Sequence, residues 1–319
     1  MTEPVRGGVT RRRMVFGGLV AGAGLALARS GEVRGQATPQ PGVPDHLIAA
    51  SDVLSLLDSP TFRPVALAGD ASEAEGFIPD SQMVDWHEME LMDTVNDAAV
   101  TGWADNMSAL FARVGLDRDD EVVIYDDGSL FAPRPWWVMR LLGYANVQVL
   151  DGGFPAWRDV NGVISPDAAS PSVAGSPPDA ADRRWEMLAR LPEIVEHLED
   201  PEWVLVDART PEEYEQGHIP GAVNVNYLLN VQEEGPPTWR APDELRAMYA
   251  AVGVTPDKHV VPYCATGARS ALTDFTLRWL GYPSVALYSA SWQEWNAEPE
   301  TPKAQGSEPW PVPEESADA

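Results

Sequence analysis

Short apolar, β-branched runs alternating with amphipathic stretches make up most of this chain. Residues 122–125, 147–150, 203–209, 260–263 and 285–288 are near-continuous apolar runs, the pattern of strands covered on both faces. Amphipathic stretches lie between them, near 107–114 and 243–252. Two more close on Leu142-Gly143-Tyr144 and Leu280-Gly281-Tyr282, where glycine suits the residue just past a helix. Strand, helix, strand in repetition predicts an α/β protein with mainly parallel sheets flanked by helices.

The pattern also repeats. Residues 112–157 lie over 250–295 without a gap, with Gly115 on Gly253, Tyr125 on Tyr263, Arg140 on Arg278, Gly143 on Gly281 and Trp157 on Trp295. Chance seldom sustains such a match over so long a span, so the chain is a tandem duplication. Residues 46–160 and 184–298 are the two expected domains. A proline- and serine-rich linker at 161–183 joins them, and the acidic, proline-rich tail 299–319 is expected to be disordered. Within the duplication Cys264 falls on Asp126, and Arg269 on Phe131. Only the second copy keeps a thiol and an arginine there, so the first is expected to be catalytically inactive.

Charge and the N-terminus narrow the setting. The chain carries 49 acidic against 22 basic residues, a net charge of −27, which repels nucleic acid and anionic membrane surfaces. Residues 10–28 join an arginine cluster to a short glycine-rich apolar stretch ending in Ala26-Leu27-Ala28. This reads as an export signal of the twin-arginine type, spanning 1–37. A periplasmic or extracellular protein, with no stable membrane association once the signal is removed, is the expectation. A single cysteine cannot form a disulfide within the chain. His46, His87, His197, His218 and His259 show no metal-ligand spacing, so no metal is expected.

Cys264 ends the run 260–263 and is followed by Ala265-Thr266-Gly267-Ala268-Arg269. In an open parallel sheet, ligands bind outside the carboxyl ends of the strands. A loop of such small side chains can curl its amides onto the sulfur, and the following helix adds its N-terminal dipole. Both favour the thiolate, and Arg269 adds positive charge and a fork for an oxyanion.

These residues, together with the 205–227 stretch carrying Asp207-Ala208-Arg209 and Gly217-His218-Ile219-Pro220-Gly221-Ala222, resemble the tandem-domain rhodanese sulfurtransferases. The resemblance covers roughly residues 46–298 and implies two rhodanese-like domains, the second catalytic. It implies that Cys264 attacks the outer sulfur of a small anionic donor and forms a persulfide, later passed to cyanide or a thiol, with no metal and no organic cofactor. Ala265, Thr266, Gly267, Ala268, Arg269 and Arg209 are the expected substrate-binding residues. Arg209 has an alternative, bracing the loop against Glu212 or Glu213. Trp292 is expected to wall the pocket or to pack between domains, and His218 to shape its turn. Cys264 and Arg269 stand in a Cys-x4-Arg loop, one residue tighter than the Cys-x5-Arg loop of cysteine phosphatases, which favours sulfur over phosphate. The loop lacks the Cys-Gly-Ser-Gly-Val-Thr form usual in mercaptopyruvate enzymes, so thiosulfate is the preferred donor over 3-mercaptopyruvate. A non-catalytic persulfide carrier is the alternative from another class. A monomer is expected.

Overall fold

The computed structural model describes residues 46–68, 76–171 and 173–307. The export signal read at 1–37, and residues 308–319 of the tail, lie outside them. The first copy builds a sheet from β1 (Leu47–Ile48), β2 (Phe62–Ala68), β3 (Gln82–Asp85), β4 (Glu121–Tyr125) and β5 (Val147–Leu150). Its order is β1-β5-β4-β2-β3, with every pairing parallel. Helices α1 (Ala50–Val53), α2 (Asp97–Arg113), α3 (Pro133–Leu142) and α4 (Gly153–Asp159) accompany it. The second copy contributes α5 (Leu191–Glu196), β6 (Trp203–Asp207), α6 (Pro211–Gln216), β7 (Val223–Asn224), α7 (Pro242–Ala250), β8 (His259–Tyr263), α8 (Ala268–Trp279) and α9 (Ser291–Ala297). Its sheet runs β7-β6-β8, also parallel.

The two sheets differ where a strand was expected at 285–288. There the second copy makes only isolated parallel bridges, Val260 to Val285 and Leu188 to Leu287. Pro262 is the cause. Val260 N donates to Ser284 O, and Val260 O and Pro262 O accept from Ala286 N and Tyr288 N. Alternate residues of β8 therefore face this segment, and the rung that a Pro262 N–H would make is missing. The aligned residue of the first copy is Ile124, which can donate, and there the ladder continues as β4 on β5.

Helices α3 and α8 hold the halves together. The Trp136 and Phe275 rings meet edge to face at 4.8 Å, and Trp239 packs on Phe275 at 5.1 Å. One buried cluster runs from Val65 and Phe111 of the first copy to Leu272 and Leu287 of the second, so the copies share a core. A polar pin reinforces it. The buried Glu294 carboxylate accepts from Thr94 N and Thr94 Oγ1, both at 2.6 Å. Thr94 Oγ1 in turn accepts from Leu191 N at 3.0 Å.

Two segments expected to be loose are tied down. The linker lies along the first copy, where Arg118 N donates to Ser176 O at 2.9 Å and Gly175 N to Ala112 O at 2.8 Å. The tail is held through Ala304, which pairs antiparallel with His218, and Pro302 O accepts from Trp295 Nε1 at 2.8 Å. Disorder from residue 299 is therefore corrected for 299–307, where these hydrogen bonds satisfy the backbone.

Candidate active site

Strand β8 ends at Tyr263 and places Cys264 at the carboxyl edge of the second sheet, with α8 beginning four residues later. The loop is fixed from behind. Trp292 N donates to Cys264 O and Gln293 N to Ala265 O, both at 3.1 Å. Cys264 N donates to Ser291 Oγ at 3.1 Å, and that hydroxyl donates to Tyr288 O at 2.8 Å. Ser291 sits at φ 58, a conformation most non-glycine residues avoid. Its aligned partner in the first copy, Gly153, also sits at φ 58.

The amides converge on the sulfur as the loop composition predicts. Gly267 N donates to Cys264 Sγ at 3.2 Å. Cys264 is 1% exposed. Burial alone pushes its thiol pKa up, but hydrogen bonding from Ser270 and the Thr266 amide, with the Arg269 charge, outweighs burial and leaves it below the ordinary thiol value. The buried Ser270 hydroxyl has no hydrogen-bond partner of standard geometry among the described residues, so it can turn toward the sulfur. Thr266 and Gly267 are thus beside the thiol through their backbone. Ala265 serves as an anchor through its carbonyl, and Ala268 opens α8.

The first copy shows the same ring of amides already filled. Asp126 Oδ1 accepts from Gly128 N at 2.9 Å and Asp126 Oδ2 from Ala132 N at 2.8 Å. Gly128 and Ala132 align with Thr266 and Ser270. The loop therefore aims its amides at one buried side chain in each copy, a carboxyl in the first and a sulfur in the second, although burial outweighs those amides at Asp126 and raises its pKa.

The two expected substrate arginines are already engaged. Arg269 grips Glu213 through two hydrogen bonds of 2.7 and 2.8 Å. These bonds hold the Glu213 carboxyl down at about 2. The Tyr227 ring lies 5.9 Å from the Arg269 guanidinium. Arg209 is 3% exposed, pairs with Asp207 at 2.6 Å and donates to Gly217 O at 2.6 Å. Of its two expected roles, the geometry supports bracing, with a different partner. Asp207, two residues back on β6, takes the guanidinium, while Glu213 is held by Arg269. Trp292 lies with its ring 4.9 Å from the Arg209 guanidinium, so it caps that ion pair and its backbone anchors the thiol loop. His218 is buried, its Nδ1 2.9 Å from Tyr214 O and its ring stacked on Tyr214 at 3.7 Å, which suits turn architecture.

These contacts predict a titration. In Arg269→Gln the Cys264 thiol loses a nearby positive charge, so its pKa should rise. Iodoacetamide alkylation followed against pH should shift its midpoint upward and slow at neutral pH. An unmoved midpoint would show that the amides alone set it.

With this geometry in place, comparison with known proteins is informative. The Rhodanese-like domain family matches at residues 52–159 and again at 191–298. A thiosulfate sulfurtransferase of Pseudomonas aeruginosa is 31% identical over 265 residues, 80% of this chain and 96% of that protein. The chain belongs to the rhodanese-like family. It is a sulfurtransferase of rhodanese type with two such domains in tandem. The sulfur carrier protein TtuD of Thermus thermophilus is 29% identical, covering 83% of this chain and 98% of its own length. The wild-type structure of EanB superposes with a TM-score of 0.72 over 83% of this chain and 70% of that one. At 24% identity that likeness speaks to the fold alone.

Two residues of the rhodanese site carry no signal of their own in the sequence analysis, Ser270, which directly follows Arg269, and Ser291. Glu213, expected as one possible brace of Arg209, holds Arg269 instead. Ser291 could have been found by laying it over Gly153, since a shared glycine position hints at positive φ.

Proposed function

We propose that this rhodanese moves sulfane sulfur from thiosulfate to a thiophilic acceptor, cyanide or a thiol, through a Cys264 persulfide. One observation carries the reading, the hydrogen bonding of the Cys264 sulfur by its own loop in a Cys-x4-Arg ring. The thiolate attacks the outer sulfur of thiosulfate, the sulfur–sulfur bond of the donor breaks, and its electron pair leaves on sulfite. The same amides then support the terminal persulfide until an acceptor thiolate or cyanide removes the sulfur. The Asp126 carboxyl that fills the ring of the first copy supports turnover in the second copy only. The arginine-rich N-terminal segment supports work outside the cytoplasm, and the protein is read as a monomer.

Intact-mass measurement after thiosulfate should show a gain of one sulfur at Cys264, discharged by cyanide with thiocyanate released. Turnover with 3-mercaptopyruvate but not thiosulfate would overturn the donor. The likeness to a sulfur carrier favours one second reading, a protein that accepts sulfur from a partner enzyme. That reading requires the persulfide to form while steady-state thiocyanate production stays absent.

A further inference from the structure

Arginines 209 and 269 each hydrogen-bond a carboxylate, but a third buried arginine does not. Arg134 belongs to the first copy, in the opening turn of α3, and is 1% exposed. Its Nη2 donates to Met89 O at 2.5 Å, and its guanidinium lies 5.0 Å from the Trp137 ring centre. Its Nη1 has no hydrogen-bond partner among the described residues. A carbonyl and an indole satisfy part of the fork and neutralise none of its charge. A buried guanidinium without an ion pair at hydrogen-bond distance is costly, so an anion brought to Nη1 would stabilise it.

The surroundings say where that anion belongs. Helix α3 packs on α8, the helix that starts at the Cys264 loop. Burial pushes the Arg134 pKa down to about 10, still leaving it charged at neutral pH. Among charged groups the Cys264 sulfur acts on it most, followed by Glu90.

We propose that Arg134, lent by the first copy, is the donor-binding residue of the Cys264 site, its free Nη1–H holding an anionic oxygen of the incoming sulfur donor. This rests on the sulfur-transfer reading and specifies its donor as an oxyanion. As the Cys264 thiolate forms its bond to the outer sulfur, the oxygen-bearing leaving group takes the electron pair of the broken sulfur–sulfur bond. Arg134 faces the charge gathering on those oxygens. No proton, oxidant or metal enters the step. The first copy thereby supplies more than a packing surface: a cation fixed by Met89 and Trp137 that the second copy does not provide free.

The test separates anion recognition from general damage. Wild type and Arg134→Met are alkylated at Cys264 with neutral iodoacetamide and with anionic iodoacetate, above the thiol pKa of each. The iodoacetate-to-iodoacetamide rate ratio should fall about tenfold in the variant, as expected for loss of a buried charge-assisted hydrogen bond. Thiosulfate kcat/KM should fall about 100-fold, mainly through KM. An unchanged ratio overturns the proposal. A reduced ratio in a protein whose wild type never turns over thiosulfate sinks the donor reading and keeps the role of Arg134. Should Arg134→Met fail to fold, Arg134→Lys is compared with wild type for protection of Cys264 by sulfite. Lysine keeps the charge without the fork, so weaker protection is expected and equal protection refutes the proposal.

Discussion

Cys264→Ser should lose sulfur transfer by about four orders of magnitude or more while keeping its fold. The serine hydroxyl fits the space of the thiol and can still accept from Gly267 N, which stands 3.2 Å from the sulfur. It remains protonated at any pH the protein survives, whereas the thiol is held below its ordinary pKa by Ser270, Arg269 and the Thr266 amide. The chemistry needs an ionised nucleophile, so the loss is one of reactivity and not of shape. The pH profile follows from the same shift. In wild type the rate of sulfur loading should hold level above the lowered thiol pKa and decline as pH falls through it. Loading should therefore persist into a range where a free cysteine is largely protonated. Thiocyanate release and intact mass report activity, and thermal denaturation reports the fold. Appreciable turnover in Cys264→Ser would place the reacting sulfur elsewhere. A profile centred at the ordinary thiol value would mean that the ring of amides does not act on it.

How far the residues alone carried this reading depends on the range of the interactions involved. The thiol loop was legible because its parts are consecutive. A strand end, small residues and an arginine are local features, and the duplication added Asp126 as an internal comparison. Residues that meet across the fold were not. Arg209 and Arg269 both had carboxylates nearby in sequence or space, and spacing could not decide which took which. In the structure Asp207, the last residue of β6, takes Arg209 two residues further on, and Glu213 reaches Arg269 only through tertiary packing, the two being far apart in the chain. Arg134 gave no signal because its neighbours, Pro133, Pro135, Trp136 and Trp137, read as core. Only the packing of α3 on α8 connects it with Cys264. Pro262 is a proline inside a strand-like run, which the sequence shows, but its consequence, a missing rung, needs the register of the segment beside it.

Gly267→Ala should disable the site without touching the nucleophile. Gly267 adopts φ 91, which alanine reaches only with strain. A Cβ placed there would lie 2.3 Å from Ser289 O, a backbone atom that cannot swing aside. Either the loop lifts or the 289–291 segment retreats, and both move something the thiol depends on. Lifting withdraws the Gly267 amide from the sulfur, and retreat carries off Ser291 Oγ, which holds Cys264 N. The expected result is a loss of about 100-fold or more in kcat/KM, with the thiol pKa raised and stability reduced by about 1–3 kcal/mol. Gly253→Ala is the control. Gly253 has φ 81 and open space where its Cβ would go, and it lies in the turn before β8. There alanine should cost about 1 kcal/mol in backbone strain and leave activity and the thiol titration near wild type. If both variants lost activity equally, instability of the second copy would explain the defect. If Gly267→Ala kept full activity, the main-chain ring around the sulfur would be dispensable and the proposed basis of persulfide stability would be lost with it.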